Sequence, residues 1–335
     1  MAAGIEDVAR AAGVSTATVS RALRGLPNVS QPTRDRVRRA ALELGYVATP
    51  SAASLASGRT RTIGLISPWI NRWFFANVIE GAERTLRQQG FDVLLYTFEI
   101  DRETERPRVD PGVLRRRVDG ILVVGLPLDE DEVEALVELG HPLVCIGWGG
   151  FGQVTVRVDD HATGLAATRH LVGLGHTAVA HITGTPDDTM PSSPPVGRAA
   201  GWRDALAEAG IAWEGLREFG DFDVEGGRRS MAALIERVPE LTAVFVSSDE
   251  MAFGALAALR AAGRRVPQDV SVIGVDGHDL GHLLGLTTMA QDAVEQGRVA
   301  ARMVLDMIAG AEAPREVVFP TTLLDRGSTA PPPGR

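Results

Sequence analysis

The sequence predicts a small α-helical head followed by an α/β body of two lobes built on parallel sheets. Three observations predict it. Three short helical patterns fill the first 45 residues, apolar strand-like runs alternate with helical patterns from residue 62 onward, and the charge changes sign between the two regions. A chain of 335 residues is also longer than one hydrophobic core ordinarily fills. Its formal charge of −9 is a composite. Residues 1–61 carry nine arginines against four acids, a net of +5, and the remainder carries 25 arginines against 39 acids, a net of −14. Every one of the 34 basic residues is arginine. A basic head on an acidic body points to a polyanionic partner for the head and a solvated surface for the rest.

In the head, Ile5, Val8, Ala9 and Ala12 fall at i, i+3, i+4 and i+7, and Gly13 stops the first helix. Ser15 suits the N-cap of a second helix with Val19, Ala22 and Leu23 inward and Gly25 as its stop. Ser30 caps a third, with Pro32 in the first turn, Val37, Ala40, Ala41 and Leu44 inside, and Gly45 after it. Two helices joined by Gly13-Val14-Ser15 make a helix-turn-helix. In a major groove Thr16 and Ala17 meet base edges first and Arg21 follows one turn on; Ser15, Thr18, Ser20 and Ser30 are short hydroxyl donors for phosphates.

The run Gly4-Ile5-Glu6-Asp7-Val8-Ala9-Arg10-Ala11-Ala12-Gly13-Val14-Ser15-Thr16-Ala17-Thr18-Val19-Ser20-Arg21-Ala22-Leu23 resembles the headpiece of the lactose-repressor (LacI/GalR) family of transcription regulators. The likeness continues through Val29-Ser30, Thr33-Arg34, Val37 and Leu44-Gly45-Tyr46-Val47, with Gly4 where the family usually has a Thr cap. Pro50 to Gly58 then matches the family's hinge helix, and Leu55 the leucine wedged between base pairs in the minor groove. The resemblance implies a homodimer on double-stranded, pseudo-palindromic operator DNA of about 14–18 base pairs, with a flexible CG step where the two leucines insert.

In the body, Ile63–Ile66, Phe91–Tyr96, Gly120–Val124 and Pro142–Ile146 form one set of apolar runs. Ala178–Ile182, Ala243–Val246 and Val270–Val275 form another. Continuous apolar runs suit parallel strands buried on both faces, and two sets imply two lobes with a ligand cleft at the strands' carboxyl ends. The body resembles the family's periplasmic-binding-protein-like effector domain, in which the chain crosses between lobes three times, here near 161, 291 and 321. By resemblance, Arg198 in Arg198-Ala199-Ala200-Gly201-Trp202 holds effector hydroxyls, Ser248 and Asp249 line the cleft at a strand-to-helix turn, and Asp276 and Gln291 complete the polar contacts. A helix cap remains open as the role of Asp249. Asn71-Arg72-Trp73-Phe74-Phe75 resembles the family's aromatic loop, where Trp73, Phe74 and Phe75 offer flat faces to a sugar or base; core packing is the other reading of each ring. Phe222 matches another stacking aromatic. Gly125, Gly147 and Gly277 stand where relatives carry polar residues, and Trp148 is placed to compensate for Gly147.

Other chemistries find little support. Gly147-Trp148-Gly149-Gly150-Phe151-Gly152 precedes a strand pattern rather than the helix a phosphate cradle needs. His278 and His282 read as a loop, because of Gly277 and Gly281, without a third ligand, so no metal is expected. No cofactor loop or nucleophile-base-acid set is present, so no cofactor and no enzyme are expected. A lone Cys145, no secretion signal and no membrane-length apolar run make the expected location cytoplasmic. The expected boundaries are 1–48 for the headpiece, 49–60 for the hinge, and 61–327 for the effector and dimerisation domain. Within the latter, lobe 1 takes about 61–160 and 292–320, and lobe 2 about 162–290 and 321–327. Residues 328–335 are expected to form a disordered Pro-rich tail. The implied function is repression of carbohydrate-utilisation genes under control of a sugar, or else of a nucleoside or other metabolite. An effector-independent DNA binder, a cleft enzyme and a transport protein are the rival classes.

Overall fold

Each buried strand begins after a polar or Gly-containing turn and runs for four to six mainly apolar residues, and those strands assemble into two sheets whose pairings are almost all parallel. A computed structural model describes residues 3–23, 27–46, 59–97, 108–185 and 193–334. The chain divides into two compact units, one holding the residues up to Arg61 with Arg116–Val118, the other the rest.

The head contains helices α1 (Ile5–Ala12), α2 (Thr16–Leu23) and α3 (Gln31–Glu43). Their inward stripes meet in a small core of Val8, Ala9, Ala12, Val19, Ala22, Val37, Ala40 and Ala41. Gly13 takes φ +64°, the left-handed stop expected of it. With glycine at the N-cap of α1, Asp7 accepts a bond from the Gly4 amide instead, and Arg36 of α3 donates to the Ala12 carbonyl at the far end. The stop at Gly25 and the hinge with Leu55 lie outside the described residues.

The body places β1 (Thr62–Ser67), β2 (Asp92–Thr97), β3 (Gly120–Val124), β4 (Leu143–Ile146), β5 (Val154–Val158) and β11 (Glu316–Phe319) in one sheet, in the order β11-β5-β4-β3-β1-β2. The second sheet holds β6 (Val179–Thr183), β7 (Arg217–Phe219), β8 (Ala243–Val246), β9 (Ser271–Asp276), β10 (Thr287–Ala290) and β12 (Thr322–Leu324), in the order β12-β10-β9-β8-β6-β7. All pairings are parallel except β10 with β12. The two orders are the same winding repeated, so each sheet reverses direction at its first strand, where ligands of such sheets collect.

The chain leaves the first sheet after β5, returns to it after β10, and crosses again between β11 and β12. Helices α4 (Trp73–Gln88), α5 (Glu130–Val137) and α11 (Ala293–Ile308) accompany the first sheet. The second has α6 (Asp160–Gly173), α7 (Pro194–Glu208), α8 (Val224–Arg237), α9 (Asp249–Ala261) and α10 (Asp279–Leu284). Two separate apolar clusters, one per sheet, fill the lobes.

Two expectations are corrected. The stretch from 278 to 284 is not a loop: His278 accepts the Leu280 amide as the N-cap of α10, and Gly281 lies inside that helix, where an added Cβ would meet the Arg326 guanidinium. The start of the 328–335 tail is ordered by lobe 2. Ser328 is buried and donates to the Val272 carbonyl, the Ala330 amide donates to Ser271 Oγ, and the Ala330 carbonyl bonds His176 and Ser271. These backbone groups find partners along β9, which is why the segment is held despite its proline content.

Candidate functional site

A cavity of about 280 Å³ lies where the carboxyl ends of both sheets face each other. Pro68 and Trp69 follow β1, Gly125 and Leu126 follow β3, Gly147 and Trp148 follow β4, and Asp160 follows β5. From the other lobe, Thr185 follows β6, Ser248 and Glu250 follow β8, Asp276 ends β9 and Gln291 follows β10. Parallel strands aim their carboxyl ends the same way, so winding alone gathers these distant residues.

Of the residues expected to contact an effector, Phe74, Phe75, Trp148, Arg198, Phe222, Ser248, Asp276 and Gln291 line this cavity. Trp73 and Asp249 do not, which corrects their assignment. Trp73 stacks on His278 with ring centroids 5.6 Å apart. Asp249 is fully buried and accepts from the Gly277 and His278 amides and from Thr288 Oγ1, so it clamps the end of β9 and not a ligand. The cap at this turn is Ser248, which accepts the Met251 amide.

At Gly125 and Gly147 an aromatic ring fills the space that a side chain would take. A Cβ on Gly125 would stand 2.5 Å from the Phe75 ring, and one on Gly147 would stand 3.2 Å from Phe74. Both glycines also have positive φ, so the two ring positions and these two residues are one arrangement. Apolar ring faces thus occupy the space that polar side chains would need.

The polar groups form two linked sets. Arg198, 5% exposed, donates from Nε to Asp160 Oδ1 at 2.8 Å and from Nη1 to the Ser247 carbonyl at 2.5 Å. Burial pushes the Asp160 carboxyl up, and Arg198 beside it pulls it back. Asp276 accepts from Gln291 Nε2 at 2.8 Å, and Gln291 Oε1 accepts from Gln296 Nε2 at 2.9 Å. Asp276 has φ +130°, a backbone state that costs a non-glycine residue about 1–3 kcal/mol and that concentrates at functional sites. Arg72 lies over Trp69 and donates to the Phe222 carbonyl across the cleft. Sequence patterns do not single out Asp160, Arg72, Glu250 or Gln296.

Burial raises the Asp276 carboxyl from 3.8 to about 6, opposed chiefly by Arg198 and Gln291; burial and Asp276 itself raise that of Asp249 as well. A folded-state value above the unfolded one means the folded chain binds protons that the unfolded chain releases between about pH 4 and 6. Stability from this site is therefore present at the acid end and is lost as pH rises through 6. The thermal midpoint of ligand-free protein should shift less between pH 5 and 7.5 in Asp276→Asn than in wild type; equal shifts would remove Asp276 from this role.

In the head, Ser15, Thr16, Ala17, Arg21 and Ser30 are exposed, and Thr18 and Ser20 partly so, which leaves the leading edge of α2 open. Ser15 Oγ accepts the Thr18 amide, so it caps α2. Ser30 occupies the N-cap of α3, but its hydroxyl pairs with Thr33 Oγ1 rather than with an amide.

Residues 4–49 match the model of bacterial regulatory proteins of the lacI family, and residues 168–329 that of a periplasmic-binding-protein-like domain. The HTH-type transcriptional regulator CelR of Thermobifida fusca is 36% identical over 340 residues, 97% of each chain. The chain belongs to the LacI family. The HTH-type transcriptional repressor PurR of Escherichia coli O139:H28 is 35% identical, covering 99% of this chain and 98% of its own. Among solved structures, a CelR–cellobiose complex matches with a TM-score of 0.72 at 34% identity, over 97% of this chain and 99% of that one. A lac repressor dimer bound to operator and an anti-inducer matches with a TM-score of 0.86 at 25% identity, over 98% and 100%. Like other LacI-family members, this chain is a DNA-binding transcriptional regulator with an effector-type domain, and these relatives are regulators rather than enzymes. No described helix is long and apolar enough to cross a membrane.

Proposed function

We propose that the protein is a homodimeric cytoplasmic repressor of carbohydrate-utilisation genes, whose hold on a pseudo-palindromic operator depends on a sugar bound between the lobes. The observation that carries this reading is the cavity itself. Aromatic faces stand beside hydrogen-bonding groups from both lobes, Asp276 and Arg198 from one and Trp148 and Gln296 from the other. A sugar offers both apolar C–H faces and hydroxyls, so it can bridge the lobes and favour one lobe angle over the other. The relative CelR, solved with cellobiose, supports a sugar. A nucleoside is the second reading, since Phe74, Phe75 and Phe222 suit a base as well as a sugar ring.

The proposal of a dimer is supported by Leu280, Leu283 and Leu284 on α10, which are 48%, 79% and 55% exposed. Clustered exposed leucines of this kind mark a surface that another chain covers. Coupling of effector to operator on the order of 1–3 kcal/mol is ordinary, and operator must then alter sugar affinity by the same factor.

Anisotropy titrations on DNA from beside the protein's own gene test the DNA reading. Wild type should bind one site specifically, with affinity falling steeply as salt rises. Leu55→Ala should reduce that to the weak, salt-sensitive binding of a non-specific complex, a loss of about 10³-fold or more. Retained specificity would show that Leu55 is not the minor-groove wedge.

A further inference from the structure

Two buried polar atoms at the cavity have no hydrogen-bond partner among the described residues, Trp148 Nε1 and Gln296 Oε1. Both side chains line the cavity, Trp148 being 1% exposed and Gln296 fully buried. An unsatisfied buried donor or acceptor carries its whole desolvation cost, so each calls for a partner.

The polarity of each atom is settled. An indole nitrogen can only donate. The Gln296 amide could be turned either way, but its neighbours decide. Ionised Asp276 only accepts, so the Gln291 end facing it at 2.8 Å is the NH₂ group. The other end of Gln291 is then an oxygen, and it accepts a hydrogen bond from Gln296 Nε2 at 2.9 Å. Gln296 Oε1 is left as an acceptor at the end of a relay that begins at Asp276.

The charges restrict the ligand further. Asp160, Glu250 and Asp276 line the cavity against Arg72 and Arg198. Arg198 is committed to Asp160 and the Ser247 carbonyl, and Arg72 to the Phe222 carbonyl. Both guanidiniums already face protein acceptors, and three carboxylates against two guanidiniums leave the cavity no excess of positive charge for a phosphate; a low-dielectric wall of aromatic rings magnifies the penalty for an added negative charge.

Resting on the reading of this cleft as the effector site, we infer that Trp148 and Gln296 are specificity-determining residues that select an uncharged, hydroxyl-bearing effector. An oxygen of the ligand accepts from Trp148 Nε1, and a ligand O–H donates to Gln296 Oε1. A hydroxyl group is the chemistry that can do both. The class is the free glycoside or nucleoside, and the phosphorylated form of the same molecule is rejected.

Calorimetric titration of the full-length protein tests this. The probes are cellobiose, maltose, ribose, adenosine and cytidine, together with ribose 5-phosphate, glucose 6-phosphate and adenosine 5′-monophosphate. One neutral probe should bind, with phosphorylated probes at least tenfold weaker. Gln296→Leu and Trp148→Phe should each weaken that probe about tenfold. Deoxy derivatives of the probe should include one that is weakened in wild type but loses nothing further in Gln296→Leu. Should Trp148→Phe fail to fold, Gln296→Leu with its deoxy series carries the test. Unchanged affinity in Gln296→Leu overturns the inference and leaves the sugar reading standing. Tightest binding by a phosphorylated probe, or no binding by any neutral one, overturns it as well. Binding of a nucleoside but of no sugar, lost in Gln296→Leu, sinks the sugar reading and upholds the inference.

Discussion

Arg198→Ala should abolish the effector response and destabilise the body by about 3–5 kcal/mol, the cost of breaking one side of a buried ion pair. Arg198 and its partner Asp160 are 5% and 7% exposed, and the pair ties α7 to the first crossing between the lobes. Truncation leaves Asp160 buried without its guanidinium, so its carboxyl rises further above its ordinary range. Arg198→Leu combined with Asp160→Asn removes both charges together and should recover much of the lost stability without restoring the response. Chemical denaturation and effector-dependent operator release, measured on the same samples, separate the two effects. A normal response in either protein would take Arg198 out of the site.

Gly254→Val should be at least as damaging to stability, on the order of 4 kcal/mol or more. Three helix pairs in the body pack through reciprocal glycines: Gly81 of α4 with Gly297 of α11, Gly164 of α6 with Gly201 of α7, and Gly227 of α8 with Gly254 of α9. A Cβ on Gly254 would fall 1.9 Å from the Val224 carbonyl oxygen, and one on Gly227 would fall 2.1 Å from that of Met251. Backbone cannot swing aside as a side chain can, so the whole pair must separate and the core beneath it opens. At Gly173, near the end of α6, an added Cβ meets open space, so Gly173→Ala should be neutral or stabilising by up to about 1 kcal/mol. Urea denaturation of both variants decides whether contact or helix propensity governs these positions; a mild Gly254→Val would refute close packing there.

Much of this architecture is legible in the order of the residues. The head is legible because its helices are local: apolar spacing, Gly13 and Ser15 act within one turn of each other. The buried parallel strands are legible because burial on both faces demands unbroken apolar runs. The edge strands β7, β11 and β12 are not, being three or four residues long and partly exposed. Helix α10 is hidden by Gly277 and Gly281: Gly277 takes a left-handed φ of +83° in the turn before the helix, whereas Gly281 lies inside the helix, where Arg326 presses against it. Of the candidate site, Phe74, Phe75, Arg198 and Asp276 carry a recognisable pattern. Asp249 carries one too, yet its carboxylate turns inward to three donors, a direction no pattern encodes.

By itself, then, the sequence determined the head's three helices, the alternation that makes two parallel sheets, and the split of charge between head and body. These depend on neighbours a few residues apart, where period and composition act directly. Only the tertiary structure decided which polar groups meet: Asp160 with Arg198, Asp276 with Gln291, and the helices that touch through glycine. Those pairings join residues from different elements, brought together by the winding of the sheets, and their partners depend on distance and direction in space rather than order along the chain.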